Sequence, residues 1–344
     1  MAGVTNLEFS VLDATDHAAV DEWSDLLDRT GEVDMPDFPK GAPAARIGGL
    51  LRPGKANRVE HLLARLDGTL VGTAEIIMPQ LDNVHLVEFE LEVHPDHRRS
   101  GVGAALLAEV ERRSREAGRR TLIIYTPVPV DGGPARSGDG TRFAAAHGYE
   151  AGLDEIHRMA DLSAVDQSEL DRLLAEAWQK AEGYDLVQWV SRAPDELIDA
   201  VAYLDGRLNL DAPIGDLDME KANVDAARMR DRERNLILRG QLSLNTALRH
   251  RETGVLAGWT DIVVNGTDET HCWQGVTIVD PDHRGKRIGT ILKIANHRQV
   301  TEHRPKMRFV HTWNADSNAH MININEAVGY RQVDRWIAYQ KKFA

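Results

Sequence analysis

The stretch HPDHRRSGVG, residues 94–103, decides the fold, because a nearly identical stretch, DPDHRGKRIG, follows at residues 280–289. The two copies lie 186 positions apart, and their surroundings repeat at the same spacing. GTLVGTAEI begins at Gly68, and GVLAGWTDI begins at Gly254. A period this long is too large for a solenoid repeat and predicts a duplicated domain. We therefore expect two homologous halves.

Composition narrows the class of protein. The chain has 344 residues, 42% hydrophobic and 28% charged, which suits two soluble globular domains. No window approaches the roughly 18 apolar residues of a membrane span, and the first residues lack a secretory-signal pattern, so we expect a cytoplasmic protein without a membrane partner. A net charge of −13 disfavours nucleic acid as a partner. The single cysteine, Cys272, excludes an intrachain disulfide, and no metal site is expected.

Hydrophobic periodicity predicts the same order of elements in each half, namely β, α, β-hairpin, β, loop, α, β, α. In the first half the pattern gives strands at 8–12, 61–66, 70–77, 84–93 and 121–126, and helices at 18–27, 102–118 and 142–147. In the second half it gives a hairpin at 246–264, strands at 273–279 and 307–313, and helices at 288–300 and 317–328. This order is that of an α/β (α+β) fold.

The predicted domain boundaries follow from this order of elements. Residues 1–162 form the first domain and residues 184–344 the second. Residues 163–183 contain a connecting helix, which is expected to start at Ser168 as its cap and to stop at Gly183.

The repeated loop has the features of an anion site. A strand ends, the chain turns through closely spaced glycines, and an amphipathic helix begins, so several backbone N–H groups at the helix start lack partners. These groups, the helix dipole and the loop arginines suit a pyrophosphate. A dinucleotide fingerprint does not fit, because Leu106 stands where its third glycine belongs, and no Gly-Lys-Ser/Thr triplet of a Walker loop is present.

The loop also resembles a known signature. Arg98-Arg99-Ser100-Gly101-Val102-Gly103 matches the Arg/Gln-x-x-Gly-x-Gly/Ala motif of the GNAT superfamily of acyl-CoA-dependent N-acyltransferases. The order of elements is similar to that fold, and the whole chain resembles a tandem GNAT protein of the actinobacterial, mycothiol-synthase-like arrangement. The resemblance implies two tandem GNAT domains, each a mixed, mostly antiparallel sheet that splays open and is flanked by helices.

The resemblance further implies acetyl-CoA (coenzyme A) as the cofactor, held at the end of the strand and in the turn of each half. In the first half this carries over to Leu91, Glu92, Val93, Arg98, Arg99, Ser100, Gly101, Val102, Gly103 and Ala104. In the second half it carries over to Ile278, Val279, Arg284, Gly285, Lys286, Arg287, Ile288, Gly289, Thr290 and Asn318. Arg287 departs from the motif, since it stands where Gly101 stands in the first copy. Either its side chain swings out and adds a charge contact, or the second site is blocked.

Candidate catalytic residues come from the strand before the first turn, where the family usually has a glutamate or histidine base. Glu88 and Glu90 are the candidate bases. Strict alternation places them on the face opposite Val93, which is not the face where the family's base commonly points unless a bulge shifts the register. The family's tyrosine acid is missing, because Ala144 and Asn325 occupy its positions in the two halves.

Two functions of different classes remain open on the sequence. One is an N-acetyltransferase that moves acetyl from acetyl-CoA to a primary amine of a small molecule by direct attack in a ternary complex. The acidic surface favours cationic acceptors. The other is a non-catalytic acyl-CoA-binding or sensing protein. A combination is also open, in which one half is catalytic and the other is structural or regulatory.

Overall fold

The computed structural model describes residues 6–52 and 54–343, and these form two compact units. Unit 1 contains the described residues up to Asp154, the short segment Gly215–Glu220 and the residues from Arg335 onward. Unit 2 contains Glu155–Ile214 and Lys221–Asp334. Among the described residues, no helix is long and apolar enough to cross a membrane.

Unit 1 is built from the first nine elements of the chain and parts of two later strands. Its elements are β1 (Leu7–Val11), α1 (His17–Asp34), α2 (Pro43–Leu51), β2 (Asn57–Leu66), β3 (Thr69–Pro79), β4 (Leu86–Val93), α3 (Val102–Glu116), β5 (Thr121–Val128) and α4 (Asp139–Ala146). The next strand, β6 (Glu150–Asp161), begins in unit 1 and ends in unit 2.

Unit 2 holds the remaining elements. They are α5 (Gln167–Lys180), β7 (Tyr184–Val190), α6 (Ile198–Gly206), α7 (Leu208–Asp211), α8 (Ala226–Leu238), β8 (Gln241–His250), β9 (Leu256–Asn265), β10 (His271–Val279), α9 (Ile288–His303), β11 (Phe309–Ala315) and α10 (Ala319–Ala327). The last strand, β12 (Tyr330–Lys342), begins in unit 2 and ends in unit 1.

The sheet of unit 1 opens between β4 and β5. Strands β1 to β4 pair antiparallel in sequence order, and β5 pairs antiparallel with residues 335–342 of β12. Strands β4 and β5 pair in parallel only where Leu86–Glu88 meets Thr121–Ile123, among the residues described. Beyond Glu88 the two strands diverge, and this is the splayed sheet that the resemblance implied.

Unit 2 repeats the pattern. Strands β7 to β10 pair antiparallel, and β10 pairs in parallel with β11 where His271–Trp273 meets Phe309–His311. Residues 155–161 of β6 complete this sheet by pairing antiparallel with β11. One difference is a bulge between Gln274 and Thr277 on β10, which β4 lacks within its described pairing. Each unit therefore takes its last strand from the other half of the sequence.

The repeated glycines have separate roles. Gly68 and Gly254 adopt φ of 82° and 71°, so they form the tight turns of the two hairpins. Gly72 and Gly258 let a helix approach the sheet. A Cβ on Gly72 would come within 2.7 Å of Leu106 in α3, and one on Gly258 within 3.1 Å of Ile288 in α9. The duplicated sequence thus encodes a duplicated contact between helix and strand.

Helix α3 anchors the core of unit 1. Its residues Val102, Leu106 and Val110 are completely buried against strands β2 to β5. Burial of one such side chain stabilises a fold by about 1.5–3 kcal/mol. Helix α9 has the corresponding position in unit 2, where Ile291 and Leu292 are fully buried.

Several elements differ from the prediction. Helices α2, α7 and α8 and strands β6 and β12 were not predicted, and the strand and helix expected before the second hairpin, here β7 and α6, had been given no residue range. The connecting helix forms as α5, but its cap is Asp166, which accepts hydrogen bonds from the backbone N–H of Ser168 and Glu169. Helix α5 also buries Leu170 in the core of unit 2, so it is part of that unit's packing.

Candidate active site

The two repeated loops have the same backbone conformation but exchange residue types. In unit 1, Arg99 and Gly101 have positive φ of 61° and 99°. In unit 2 the corresponding residues, Gly285 and Arg287, have φ of 79° and 54°. Gly101 and Arg287 are the N-caps of α3 and α9, and neither supplies a side-chain cap. The first-turn N–H groups of α3, and those of Ile288 and Gly289 in α9, are therefore available to a ligand, whereas the N–H of Thr290 already donates to the carbonyl of Arg287 at 3.1 Å.

The side chain of Arg287 bears on whether the second loop can bind a phosphate. Its guanidinium is exposed and forms an ion pair with Glu176 of α5 at 3.2 Å. The backbone keeps the left-handed conformation that glycine has in unit 1. This geometry agrees with the alternative in which the arginine swings out, and cofactor binding at this loop stays a prediction.

The leading arginines of the two motifs shape the turn. The Nε of Arg98 donates to the carbonyl of Val93 at 3.0 Å, and its guanidinium binds both carboxylate oxygens of Asp34 at 2.7 Å. Arg284 donates to the carbonyl of Val279 at 3.2 Å and pairs with Asp211 at 2.9 Å. Both charges already have a partner, so these arginines fix the strand end to the turn.

The other predicted cofactor residues lie where the motif implies. Leu91, Glu92 and Val93 end β4, Ser100 lies in the turn, and Val102, Gly103 and Ala104 form the first turn of α3. Ile278 and Val279 end β10, Gly285 and Lys286 lie in the turn, and Ile288, Gly289 and Thr290 begin α9. Asn318 instead caps α10, since its side chain accepts from the N–H of Met321 at 3.2 Å.

A cavity of about 220 Å³ lies beside β4 in unit 1. It is lined by Trp23, Leu27, Arg46, Thr73, Glu75, Glu90 and Glu92. Glu75 of β3 stands directly opposite Glu90, and Thr73 stands opposite Glu92. The one cationic side chain in this lining, Arg46, pairs with Asp28 at 2.7 Å. The cavity therefore offers carboxylates to a ligand and is suited to a cation.

The glutamates of β4 have raised pKa values. Burial, with Glu90 and Asp34 nearby, raises the pKa of Glu92 to about 8. Burial also raises the pKa of Glu90, whose side chain opens to the cavity, and that of Glu88, which Glu90 raises further. A carboxyl group with a raised pKa is a better proton acceptor at neutral pH than an ordinary one.

The hydroxyl of Thr30 in α1 lies beside Glu92. This hydroxyl lies within hydrogen-bond distance of both the carbonyl of Leu27, at 3.0 Å, and Oε2 of Glu92. A hydroxyl has one proton to donate. If Thr30 donates to Leu27, Glu92 must supply the proton of the second bond, as a neutral carboxylic acid does.

The two predicted base residues are placed differently. Glu90 lines the cavity, whereas Glu88 lies two residues nearer the start of β4 and is not among the lining residues. Sequence reasoning missed Glu75, Arg46 and Thr30. The period-two alternation of β3 was the one signal available for Glu75, since it faces the same side of the sheet as Glu90.

The acid position contains no tyrosine in either unit. Ala144 is buried in the core beside α3, and Asn325 is fully buried and donates to Asn314 at 2.5 Å. Neither residue can protonate a leaving thiolate.

The corresponding strand positions of unit 2 carry fewer carboxylates, and the pocket lined by Asp261 and Glu233 there measures only about 10 Å³. At the same 186-residue spacing, Gln274 and Val276 replace Glu88 and Glu90, and Asp261 replaces Glu75. Asp261 is buried and accepts a 2.7 Å hydrogen bond from the N–H of Val276, so it stabilises the bulge of β10. It also pairs with Arg232 at 3.3 Å.

Comparison with known proteins finds similarity to acetyltransferases. The acetyltransferase (GNAT) family pattern matches residues 22–135. A mycothiol acetyltransferase of Kineococcus radiotolerans is 40% identical over 77 residues, which is 22% of this chain and 24% of that protein. One from Streptomyces griseus is 36% identical over 112 residues, 31% of this chain and 34% of that protein. The matches thus span a quarter to a third of these curated relatives.

A solved structure extends the similarity to nearly the whole chain. It is described as a tandem GNAT protein from the clavulanic acid biosynthesis pathway, without AcCoA. It is 29% identical, covers 98% of both chains and superposes with a TM-score of 0.82. With the two splayed sheets and the two loops, this similarity supports a tandem GNAT acetyltransferase, and the family pattern itself matches within unit 1.

Proposed function

We propose that the protein is an N-acetyltransferase that moves the acetyl group of acetyl-CoA to a primary amine of a small cationic molecule, and that unit 1 carries the reaction. The observation that supports this most is the position of Glu90 and Glu92. They line a cavity on the same strand, β4, that leads directly into the anion-binding loop. An acceptor site and a phosphate site are therefore joined by one strand.

Backbone groups of the loop form the part of the site that would bind the cofactor. The uncapped N–H groups that follow Gly101 suit the pyrophosphate, and the diverging ends of β4 and β5 leave room for the extended arm. Four or five hydrogen bonds to a charged group, each worth about 1.5–3 kcal/mol, suffice to hold a cofactor on an acidic protein. The residues present therefore fit acetyl-CoA, which supplies the activated thioester.

The acceptor side depends on the carboxylates. Glu75, Glu90 and Glu92 attract an ammonium ion, and Glu90 takes one of its protons so that the nitrogen lone pair becomes free. The neutral amine then forms a C–N bond with the acetyl carbon while the C–S bond breaks, and the second proton lost from the nitrogen neutralises the leaving thiolate, so the products are the amide and the thiol of CoA. Glu92 stays a proton donor until a cation lowers its pKa.

A thiol-release assay tests the proposal. Acetyl-CoA is incubated with the full chain and a panel of primary amines, including diamines and amino sugars, and free thiol is measured. Glu90→Gln should lower kcat while leaving the acetyl-CoA Kd nearly unchanged, because a base acts on the amine. Glu88→Gln tests whether Glu88, the second predicted base, takes part in the reaction. Glu8 is exposed, and Glu8→Gln is the matched control.

Two outcomes would contradict the proposal. Tight acetyl-CoA binding without thiol release for any amine would favour the acyl-CoA-sensing alternative. Normal turnover in both Glu88→Gln and Glu90→Gln would remove the β4 carboxylates from the reaction.

A further inference from the structure

Unit 2 contains a continuous row of hydrogen-bonded acid–base side chains that the acetyl transfer proposed for unit 1 does not use. Asp334 of β12 lies 3.0 Å from Nδ1 of His157 on β6. Nε2 of His157 lies 2.9 Å from Nδ1 of His311 on β11. Nε2 of His311 lies 2.8 Å from Nδ1 of His271 on β10. One carboxylate and three imidazoles thus form a single chain, which we call the histidine row.

The histidine row is buried at one end and open at the other. Asp334 is 0% exposed, His157 is 1% exposed and His311 is 2% exposed. His271, the first residue of β10, is only half-buried. The row therefore connects a solvent-accessible imidazole with a fully buried carboxylate.

Aromatic contacts fix the rings of the row. The rings of His157 and His311 are nearly coplanar, with an interplanar angle of 19°, and those of His311 and His271 likewise, with an angle of 18°. The indole of Trp313 lies on His157 at 4.3 Å and 10°. Rings held in this way keep their nitrogens aligned, which a transferable proton requires.

The hydrogen-bond pattern dictates one tautomer throughout the row. An ionised Asp334 can only accept, so Nδ1 of His157 carries a proton and its Nε2 has a lone pair. His311 must then donate from Nδ1, and His271 must do the same. Nε2 of His271 is left with a lone pair, and no protein partner for it is found among the described residues. The row thus ends in an oriented proton acceptor.

Unit 1 shows that the fold does not need these histidines. In the parallel pairing of unit 2, Trp273 meets His311, whereas the corresponding residue of unit 1, Val87, meets Leu122. Leu122 is completely buried in an apolar core. His85, which corresponds to His271, instead lies 2.9 Å from the carbonyl of Asp218. Because buried polar groups cost free energy that leucine avoids, the row is a feature specific to unit 2.

We propose that Asp334, His157 and His311 form a proton relay that makes Nε2 of His271 an acid–base site in unit 2, whose substrate class is a protonated amine. The N–H bond of the ammonium breaks as the Nε2–H bond of His271 forms. Each Nδ1 proton then moves to the Nε2 of the next ring, from His271 to His311 and from His311 to His157. One proton leaves the ligand, and the resulting imidazolium of His157 is balanced by Asp334.

Charged groups of both signs lie around the histidine row, and the one in direct contact with its buried end is Asp334. Burial lowers the pKa of His271, and the carboxylate of Asp268, which accepts from the backbone N–H of His271, opposes that effect. On β6 the buried guanidinium of Arg158 follows His157 and lies 3.9 Å from Glu326, and on β11 Arg308 pairs with Asp161 at 2.7 Å. The carboxylate of Asp334 at the buried end lies 3.0 Å from Nδ1 of His157, and its negative charge stabilises a proton on that ring.

Nitrogen-15 NMR of histidine-labelled full-length protein tests the relay independently of catalysis. At pH 8 the three rings should be Nδ1–H tautomers, whereas free histidine favours the Nε2–H form. Asp334→Asn can donate from its amide, and it should reverse all three rings to Nε2–H. His311→Leu, which copies unit 1, should release His271 to the ordinary tautomer, and His311→Gln is the second variant if leucine disturbs folding.

Chemical reactivity tests the base itself. Diethyl pyrocarbonate attacks a neutral imidazole nitrogen, and mass spectrometry measures the rate at His271. This rate should fall in Asp334→Asn and in His311→Leu, while the rate at the exposed His17 should stay unchanged as an internal control. Nε2–H tautomers in the wild type would overturn the relay. If His271 of the wild type does not react with diethyl pyrocarbonate, the proposal that it is an acid–base site is wrong, whatever the result of the acetyl transfer assay.

Discussion

Glu75 and Glu90 face each other directly across β3 and β4, and both line the same cavity. Two carboxylates at such a pair of positions repel each other, so like charges there are destabilising unless a cation or a proton intervenes. Burial raises the pKa of Glu90 and that of Glu92, the latter to about 8, so a proton on Glu92 relieves the repulsion at neutral pH. A cationic ligand would take the place of such a proton, so a proton should be exchanged for the bound cation.

Amine binding should release a proton near neutral pH. The pKa of Glu92 is raised to about 8, so the group is mostly protonated at pH 7. An ammonium ion in the cavity stabilises the carboxylate, lowers that pKa and expels the proton. Titration calorimetry with an acceptor found in the thiol-release assay, in two buffers of different ionisation enthalpy, measures the number of protons released. Glu92→Gln should reduce that number, and equal heats in both buffers for the wild type would refute the exchange.

The same group should make unfolding depend on pH. A carboxyl group whose pKa is higher in the folded state binds its proton more tightly there than in the unfolded chain. Glu92 therefore contributes to the free energy of unfolding at low pH. This contribution is lost as the pH rises from the ordinary pKa of a glutamate towards about 8, the pKa of Glu92 in the folded state. Glu92→Gln should make the free energy of unfolding less dependent on pH across this window.

Urea unfolding at pH 5, 6.5 and 8 measures this dependence. Glu8→Gln, an exposed carboxylate on β1, is the control and should follow the wild type. A Glu92→Gln variant that loses stability with rising pH as steeply as the wild type would show that other groups cause the dependence.

The repeated glycines allow a test of packing. A Cβ at Gly72 would lie 3.0 Å from the carbonyl of Glu92 and 2.7 Å from Leu106, so Gly72→Ala should lower the free energy of unfolding by about 1–3 kcal/mol. Gly31 lies inside α1 with open space around it, so Gly31→Ala should raise it by about 0.5–1 kcal/mol. Denaturant titration of both variants gives the comparison, and equal effects would contradict the close approach of α3 to β3.

Local signals explain which parts of the fold were predictable. The turn at Gly68, the loop before Val102 and the helix that follows are specified by neighbouring residues, and the structure has each of them. The alternation of β4 predicted that Glu88, Glu90 and Glu92 share a face, and their pairing with β3 agrees. Such features depend on a period of two or of 3.6 residues, which a sequence displays directly.

Long-range features could not be predicted in this way. The histidine row joins residues 154 and 177 positions apart, and nothing near His157 indicates His311 or Asp334. Strand β12 was missed although it completes the sheet of unit 1, because its charged residues interrupt the apolar pattern. Its identity as a strand depends on its partner, β5, rather than on its own sequence.

The last prediction concerns which loop holds the cofactor more tightly. Gly101 lies where the backbone must approach the pyrophosphate, and Gly101→Glu places a negative charge there, so acetyl-CoA should bind to unit 1 at least about tenfold more weakly. Loss of a single hydrogen bond to a charged group is worth about 1.5–3 kcal/mol, which is enough for that effect. Calorimetry on the full chain counts the remaining sites and gives their affinities.

A second substitution separates charge from backbone strain. Gly101→Arg copies Arg287, which adopts a φ of 54° at the corresponding position of unit 2, so the backbone can tolerate a side chain there. If the charge of the side chain at position 101 determines the affinity for acetyl-CoA, Gly101→Arg should bind it more tightly than Gly101→Glu. The arginine attracts the pyrophosphate, and the glutamate repels it. If Gly101→Glu still binds one equivalent with the affinity of the wild type's tightest site, unit 2 is the principal cofactor domain, and the assignment to unit 1 is wrong.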